Sequence, residues 1–593
     1  EITSVPRLCI LLLLLLLGLL PLAAGAQEAP EAQECRLGRI SELFIDNRSV
    51  FDLSDPDQDE RFQWALRLAN RLHIPTREKV IRRELLFEAG DCFDPALLEE
   101  SERILRRSAF IARVDIFAVR QPDGSNHVVV DTQDDWSTKV EVQMEQGTGM
   151  RLSGFRVREE NLLGTGRRLS AFYLRSFEER IYGASYLDPQ LFGTRWQAEV
   201  EAGRTQLGYL ASQSVMYPFV GETGRRALRQ ELRHYDRYLE FLTEGEEGLV
   251  GVLFPERRRG FDLGAAVRRG RPGRQTLLGA MLAGEWISYP GEARLSSDDA
   301  LGVDSLPRFP GMDSVGSVRA MLLTGRRNVY YVRRRALDSV TGTEDVRLGL
   351  EVELGVGRSL PWLSTADDVS LDFGFFGAGE VAPGLLAGTQ LRLEGKHEHG
   401  ALVEREEWRD VFAQLDAWAY LRPSNDSRHT WVAALAAAGG WNTRVPFQLT
   451  IGGATGLRGY PRHIFPGAQR AVLSLEQRSY LGWPLPQLFD LGAVAFVDVG
   501  RTWAGNVPFG VDSPVRANVG LGLRGALPPG SPSTFRLDLA APVASSLRMS
   551  DLVLSLGVGP AIGRQLREDP QLLRSLRRGI STSLFTRPER RDR

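Results

Sequence analysis

Residues 346–357 read Val-Arg-Leu-Gly-Leu-Glu-Val-Glu-Leu-Gly-Val-Gly, with an apolar residue at every second position. Charged residues and glycines fill the positions between, so the stretch has the two-residue period of a β-strand. Burying the charged row in a soluble core would cost several kcal/mol for each unpaired charge. The polar row therefore suits a water-filled lumen and the apolar row suits lipid, which predicts a strand of a transmembrane barrel.

The same alternation recurs along the second half of the chain. One such face is made of Val411, Ala413, Leu415, Ala417 and Ala419, and another of Leu552, Leu554, Leu556 and Val558. Polar connections such as residues 296–304 and 424–428 separate these segments. Strands of about 9–11 residues predict a transmembrane antiparallel β-barrel of about 16 strands over residues 137–562. A soluble β-sandwich or propeller is the competing interpretation, but no internal repeat supports it.

Composition and motifs exclude several other classes. The 593 residues carry 73 Lys+Arg against 75 Asp+Glu, without the basic excess of a nucleic-acid-binding protein. The mean hydropathy of -0.20 is too polar for a bundle of membrane helices. The sequence has no G-x-S-x-G elbow, no H-E-x-x-H motif and no His or Cys cluster with metal-ligand spacing. We therefore expect no enzyme activity, no metal and no cofactor.

The N-terminus predicts a secretory signal over residues 1–26. A mostly leucine run at residues 10–22 follows Arg7 and precedes Ala24-Gly25-Ala26. This run is shorter than the roughly 20 residues of a membrane-spanning helix, which is the alternative interpretation. The pattern predicts cleavage after Ala26 and an exported chain.

Residues 36–135 predict a small α+β domain with the order strand, three helices, two strands. Helix signals include Asp94-Pro95, because Asp can cap a helix and Pro suits its first turn. The turn Pro122-Asp123-Gly124 separates the last two strands. The predicted elements lie near residues 39–45, 60–72, 76–85, 94–105, 112–118 and 127–130.

Residues 80–119 read VIRRELLFEAGDCFDPALLEESERILRRSAFIARVDIFAV and resemble the polypeptide-transport-associated (POTRA) domain. The resemblance implies a periplasmic module whose exposed strand edge pairs with extended client chains through main-chain hydrogen bonds. The alternative is a plain spacer that holds the periplasmic mouth of the barrel. Cys35 and Cys92 remain after the predicted processing, and both a disulfide in the oxidising periplasm and two free thiols stay open.

Two acidic residues should face each other in the predicted lumen. Alternation along residues 471–478 and 493–500 places Glu476 and Asp498 on the polar faces of neighbouring strands. Close carboxylates repel each other unless a cation lies between them. The candidate cation is Arg458, which lies in a Gly-flanked loop and whose planar fork can serve two carboxylates at once.

These residues are similar to the hallmark of the superfamily of outer-membrane protein assembly factors and two-partner secretion transporters. That hallmark is a (V/L)-R-G-(F/Y) loop, an E-x-R strand and an F-x-D-x-G strand. The matching residues, in order, are Leu457-Arg458-Gly459-Tyr460, Glu476-Gln477-Arg478 and Phe496-Val497-Asp498-Val499-Gly500. The turns at residues 160–171 (ENLLGTGRRLSA) and 186–189 (YLDP) match further superfamily motifs. The resemblance implies that the loop folds into the barrel and that Arg458 engages both acids.

The resemblance also implies a function. We expect an ATP-independent factor that inserts or assembles proteins in the cell outer membrane, with its POTRA-like domain in the periplasm. Its partners would be unfolded outer-membrane or secreted polypeptides, outer-membrane lipid, and periplasmic chaperones or accessory proteins, but no nucleic acid. The alternatives are a transporter that exports a partner polypeptide, as in two-partner secretion, and a passive porin-like or structural barrel.

Two features depart from the superfamily pattern. Assembly factors usually carry several POTRA domains, whereas this sequence shows one. An Arg-rich tail follows at residues 563–593, and it could carry an amphipathic helix near residues 572–576, be disordered, or supply a closing strand at residues 580–585. These three interpretations of the tail stay open.

Overall fold

The computed structural model describes residues 35–51, 53, 63–146, 150–176, 179–245, 248–295, 314–399, 407–424, 426–443, 447–453, 456–461, 464–482, 488–506, 511–543, 548, 551–558 and 585. The predicted signal segment, residues 1–26, lies outside these ranges. Of the predicted tail, residues 563–593, they include Phe585 alone. No helix within the described ranges is long and apolar enough to cross a membrane.

The N-terminal domain packs two helices on one face of a three-stranded sheet. The strands are β1 (Ile40–Arg48), β2 (Ile111–Arg120) and β3 (Asn126–Asp134), and the helices are α1 (Gln63–Leu72), α2 (Glu78–Glu84) and α3 (Pro95–Arg106). The order in the sheet is β1-β3-β2, with β1 parallel and β2 antiparallel to β3. Residues of α2 and α3 form a core with Val128 and Val130. Helix α1 packs apart from that core, against Val50 and Phe51.

Two local features hold this domain together. Asp94 caps α3, because its side chain accepts a hydrogen bond from the main-chain N–H of Ala96 at 2.9 Å. Cys35 and Cys92 form a disulfide with their Cα atoms 5.2 Å apart, which ties the segment before β1 to the connection between α2 and α3. The order of elements is the one that the sequence predicts.

One closed antiparallel barrel contains the other long strands. Within the described residues its twenty principal strands are β4 (Thr138–Gln146), β5 (Met150–Glu159), β6 (Arg168–Ser176), β7 (Glu179–Asp188), β8 (Gln197–Arg204), β9 (Tyr209–Tyr217), β10 (Arg226–Gly245), β11 (Gly248–Arg271), β12 (Arg274–Ser288), β14 (Val315–Arg335), β15 (Thr343–Ser359), β16 (Asp367–Ala382), β17 (Leu385–His399), β18 (Trp408–Leu421), β19 (His429–Trp441), β22 (Gln469–Tyr480), β23 (Asp490–Trp503), β24 (Arg516–Ala526), β25 (Phe535–Pro542) and β26 (Val553–Val558). The short strand β13 (Arg294–Leu295) lies beside β11, and β20 (Leu449–Ile451) pairs with β21 (Ile464–Gly467) as a separate ribbon.

The predicted number of about 16 strands is wrong. Several connections are very tight, such as residues 272–273 between β11 and β12 and residues 383–384 between β16 and β17. These turns leave more of the chain for strands, so twenty fit where longer connections would allow fewer. Strand β26 closes the barrel by joining β4. Of the alternative closing segment, residues 580–585, only Phe585 is among the described residues.

The barrel has two distinguishable ends. The N-terminal domain covers one end, called here the domain end, where β5 joins β6, β7 joins β8 and β9 joins β10. The opposite end, called here the loop end, carries the connection from β19 to β22, which contains β20 and β21. Strands β4–β9 have 8 to 10 residues, whereas β10 and β11 have 20 and 24. The wall is therefore taller on the side of β10 and β11 than along β4–β9.

Side chains alternate between the outside and the lumen, with one break within residues 346–357 of β15. Leu350 and Leu354 on β15 are exposed on the outside, as predicted. Val346 and Leu348 were expected on the same face, but they are 0% and 1% exposed and pack in an apolar cluster with residues of neighbouring strands. Gly349 lies between the two sets with φ of 108°, and this left-handed backbone interrupts the regular alternation.

Candidate functional site

Arg458 lies inside the barrel, in the connection that enters from the loop end. Its side chain is 1% exposed. Its Nε and Nη2 donate to the two carboxylate oxygens of Asp498 at 2.9 and 2.7 Å. Its Nη1 donates to Oε1 of Glu476 at 2.6 Å. One guanidinium therefore bridges two buried carboxylates on the adjacent strands β22 and β23.

Other polar groups occupy the remaining positions around the two acids. Arg478 donates from Nε to Oε2 of Glu476 at 2.8 Å, so that carboxylate is held between two guanidinium groups. Asn518 donates from Nδ2 to Asp498 at 2.9 Å. The main-chain N–H of Arg458 adds a longer hydrogen bond to Asp498, at 3.3 Å. The two acids are thus satisfied within the barrel while no part of either is exposed to solvent.

Phe496 forms an aromatic floor beneath the guanidinium. The guanidinium carbon of Arg458 lies 3.4 Å from the centroid of the Phe496 ring, in cation–π geometry. A Cβ atom at Gly520, on the next strand, would lie 2.3 Å from Cζ of this ring. Position 520 therefore requires glycine, because any larger residue would occupy the space of the Phe496 ring. Gly500 is less restrictive, since a Cβ atom there would lie 3.1 Å from its nearest neighbour, the carbonyl oxygen of Ala471.

The residues on either side of Arg458 seat the loop against the wall. Leu457 is fully buried in an apolar cluster with Ile451 and Val472. A Cβ atom at Gly459 would lie 2.5 Å from Cβ of Asn518, so this position needs glycine for close approach. The Tyr460 hydroxyl donates to the main-chain oxygen of Ala517 at 3.3 Å. The structure thus brings all four motif residues into contact with the inner wall.

The same connection is also anchored on the far side of the lumen. The side-chain amide of Gln448 makes two hydrogen bonds with the main chain of Leu242 on β10, at 2.7 and 2.8 Å. Strand β10 lies about half the circumference away from β22 and β23. The loop therefore crosses the lumen from one wall to the other and obstructs it at this level.

The domain end has a second set of contacts, which the sequence motifs alone did not reveal. Asn161 donates from Nδ2 to Oγ1 of Thr76 at 2.8 Å. In the next turn at this end, Gln190 donates from Nε2 to Oε1 of Glu84 at 2.7 Å. A Cβ atom at Gly164 would lie 2.3 Å from the carbonyl oxygen of Pro75. The two turns therefore form the platform on which α2 rests.

A repeat in the sequence could have identified this platform. Residues 161–165 read Asn-Leu-Leu-Gly-Thr and residues 190–194 read Gln-Leu-Phe-Gly-Thr. In both turns an apolar residue with positive φ precedes a glycine with positive φ, at Leu163 and Phe192 respectively. Two copies of one strained turn, one strand pair apart, indicate a shared partner more strongly than either copy alone.

Ion pairs join α3 to other connections at the domain end. Arg106 donates to both carboxylate oxygens of Asp345 at 2.6 Å, and Arg333 donates to Glu102 at 2.6 Å. Burial raises the pKa of Glu102 above its ordinary value, although Arg106 and Arg333 lower it. The main-chain N–H of Glu222 donates to Glu100 at 2.8 Å. The N-terminal domain is therefore held at several points around the rim.

Within the described residues, no group of three or more His, Cys, Asp and Glu side chains is placed to hold a metal ion. The arrangement at Arg458 joins a loop to the wall through hydrogen bonds, ion pairs and the packing of Leu457. It can be made or broken without covalent chemistry.

No protein-family model matches the chain, and no curated protein matches it. Solved structures do match. BamA from Haemophilus ducreyi lacking POTRA domains 1-3 is 14% identical over 87% of this chain and 84% of that chain, with a TM-score of 0.31. CdiB from Escherichia coli is 12% identical over 88% and 76%, with a TM-score of 0.41. CdiB from Acinetobacter baumannii is 14% identical over 88% and 74%, with a TM-score of 0.34. The chain is thus similar to BamA and CdiB along nearly nine tenths of its length.

Proposed function

We propose that this chain is an outer-membrane barrel that inserts or assembles unfolded client polypeptides, and that it belongs to the superfamily of assembly factors and two-partner secretion transporters. The domain end would face the periplasm and the loop end the cell exterior. The observation that carries the insertase proposal is the junction at which the barrel closes. At this junction β26 joins β4, and β4 spans nine residues, Thr138–Gln146, whereas β10 spans 20.

A junction limited by the nine-residue strand β4 makes fewer main-chain hydrogen bonds than the pairing of β10 with β11. At about 1 kcal/mol net for each bond, opening such a junction costs roughly 9 kcal/mol or less. By contrast β10 and β11 pair residue for residue from Arg226 with Val267 to Gly245 with Gly248. An incoming client strand would replace the lost hydrogen bonds one for one, so opening the β26–β4 junction and pairing with a client can be coupled.

The N-terminal domain supports receipt of a client at the periplasmic mouth. In the described part of its sheet, β1 and β2 are the edge strands and each pairs with β3, and the main chain of Ile40 at the start of β1 also bonds to Gly90 and Asp91. An extended polypeptide can add to such an edge whatever its sequence. The contacts at Asn161, Gln190 and Asp345 keep this sheet close to the barrel rim.

Export of a partner polypeptide through the lumen is the second candidate. It is favoured by the charged inner wall and by the ion-paired loop, which could leave the lumen because both partners can be hydrated. The same loop weighs against a passive porin, since it crosses the lumen between β10 and β22–β23.

A reversible lock of the junction tests the insertase proposal. Cysteine pairs would be introduced at facing positions of β4 and β26, and the protein would be placed in liposomes with an unfolded barrel client. Oxidation should abolish assisted client folding, measured by gel mobility without heating, and mild reduction should restore it. The matched control joins Leu539 and Leu554, which are paired across β25 and β26 and would stay together. If the β4–β26 lock leaves client folding unchanged, the insertase proposal is wrong; loss of assisted folding in the control as well would also contradict it.

A further inference from the structure

Phe585 is buried inside the barrel, far along the chain from the last strand. Its side chain is 0% exposed and contacts an inner-wall cluster. The members of that cluster are Phe219, Ala227, Ala266, Leu277, Met281, Met321 and Leu323. They come from β10, β11, β12 and β14 and from the turn before β10, so the ring is seated on the tall side of the barrel, away from the closing junction.

This cluster is an apolar patch within a charged surface. The inward side chains next to it on the same strands include Arg229, Asp262, Arg268, Glu285, Arg319 and Arg327. An apolar patch that faced a hydrated lumen would remain exposed to water, which is unfavourable. Phe585 covers it, and so the patch and the ring remove each other from water.

The pocket has a shape suited to a planar ring. A Cβ atom at Gly264 on β11 would lie 3.0 Å from Cζ of Phe585, and the glycine leaves the space that the ring edge occupies. The ring of Phe219 meets that of Phe585 edge to face, with centroids 6.4 Å apart and planes at 62°. Both contacts would be lost with an aliphatic side chain of different shape.

Main-chain contact fixes the segment that carries the ring. The N–H of Phe219 donates to the carbonyl oxygen of Phe585 at 2.8 Å. This bond does not depend on the side chain at position 585, so recognition divides into a sequence-independent bond and a ring-specific pocket. Phe219 belongs to the turn that also contacts α3 through Glu222 and Glu100. The N-terminal domain and Phe585 therefore meet at one turn of the rim.

We propose that this pocket is a peptide-binding site in the lumen, specific for a phenylalanine on a polypeptide segment, and that the C-terminal region of the same chain fills it through Phe585. The chain thus carries its own ligand for a site on the inner wall. The site is separate from the loop contact at Arg458, which uses the opposite wall. It does not rest on the insertase proposal, because a barrel of any function could hold its own C-terminal region in this way.

Photo-crosslinking in the full-length protein tests the site directly. Phe585 would be replaced by p-azidophenylalanine, the folded protein irradiated, and the crosslinked peptides identified by mass spectrometry. We expect crosslinks to peptides of β11, β12 and β14, including those with Met281 and Met321. Gly264→Leu should lower their yield at least about fivefold, because the new side chain would occupy the space of the ring. Ala265→Leu is the matched control, since Ala265 is the next residue on β11 and is exposed on the outer face.

The position of the crosslinks and their response to the two variants test the site. Crosslinks to these strands that fall in Gly264→Leu and persist in Ala265→Leu support the site. Crosslinks that are absent, that map elsewhere, or that are equally strong in Gly264→Leu overturn it. Heat-dependent gel mobility would first establish that each variant forms a barrel. A variant that failed this check would be replaced by Gly264→Val, for which the same outcomes hold.

Discussion

Replacing Arg458 by alanine should release the loop from the inner wall. The side chain makes three hydrogen bonds to two carboxylates, and all three groups are buried. Removing one partner of a buried pair costs about 3–5 kcal/mol, because the remaining charge is left without compensation. Arg478 still serves Glu476 and Asn518 still serves Asp498, so both acids keep one partner. We therefore expect a loss within this range and not the sum of two broken pairs.

The expected loss corresponds to a shift of roughly a hundredfold to a few thousandfold in the equilibrium between the inserted and released loop. Two measurements report it. The temperature at which the folded band disappears on semi-native gels should fall. A cysteine introduced at Gly456, two residues before Arg458, should react faster with a membrane-impermeant maleimide. Arg458→Lys keeps the charge but loses the planar fork, so its effect should be intermediate.

A double-mutant cycle with Asp498→Ala decides whether one shared interaction is responsible. If Arg458 and Asp498 act through the contact seen here, the double variant should be little worse than either single variant. Additive losses, or an Arg458→Ala protein that melts and reacts like the unsubstituted one, would show that the ion pairs do not hold the loop.

Three further predictions follow from other contacts. Gly520→Ala should lower barrel heat stability by about 1–3 kcal/mol through overpacking, measured as gel-shift temperature, whereas Gly379→Ala should have no effect because nothing lies within 4 Å of its added Cβ. Asn161→Ala combined with Gln190→Ala should loosen the N-terminal domain by about 1–3 kcal/mol for each lost buried bond and raise its rate of proteolysis in the otherwise intact protein. Burial raises the pKa of Glu102, so its ionised form is disfavoured in the folded chain and stability should fall as pH rises from the unfolded pKa through the folded one. Glu102→Gln should remove this slope, so its melting temperature relative to the unsubstituted protein should rise as the pH is raised above about 4.3, the ordinary pKa of a glutamate; a flat difference would contradict the prediction.

The alternation of apolar and polar residues was enough to predict most of the fold and the inward placement of the two acids. Glu476 and Asp498 face inward because each lies an even number of residues from other inward positions on its strand, and this period needs no tertiary information. The position of Arg458 also follows, because a cation from a nearby loop lowers the electrostatic free energy of two inward acids when it lies between them. These inferences depend on local pattern and charge alone.

Other features depended on information that alternation does not contain. Strand number is set by turn length, and two-residue turns such as residues 272–273 are hard to separate from the strands they join. The inward packing of Val346 and Leu348 depends on the left-handed backbone of Gly349, which looks like any other glycine in the sequence. The partner of Phe585 lies on strands hundreds of residues earlier in the chain, and only the closed barrel brings them together.

The choice of ion pairs to hold the loop follows from the barrel itself. A barrel of twenty strands encloses a lumen too wide for wall side chains to fill, so a loop that crosses it must bind a polar surface. Apolar residues could hold such a loop at least as tightly, since buried ion pairs are often no more stabilising than well-packed hydrophobic residues. A wholly apolar contact would, however, leave more apolar surface in water whenever the loop withdrew than the small contact of Leu457 with Val472 does. Arg458, Glu476 and Asp498 can be paired when the loop is inserted and hydrated when it is out, so both positions of the loop are compatible with a water-filled lumen.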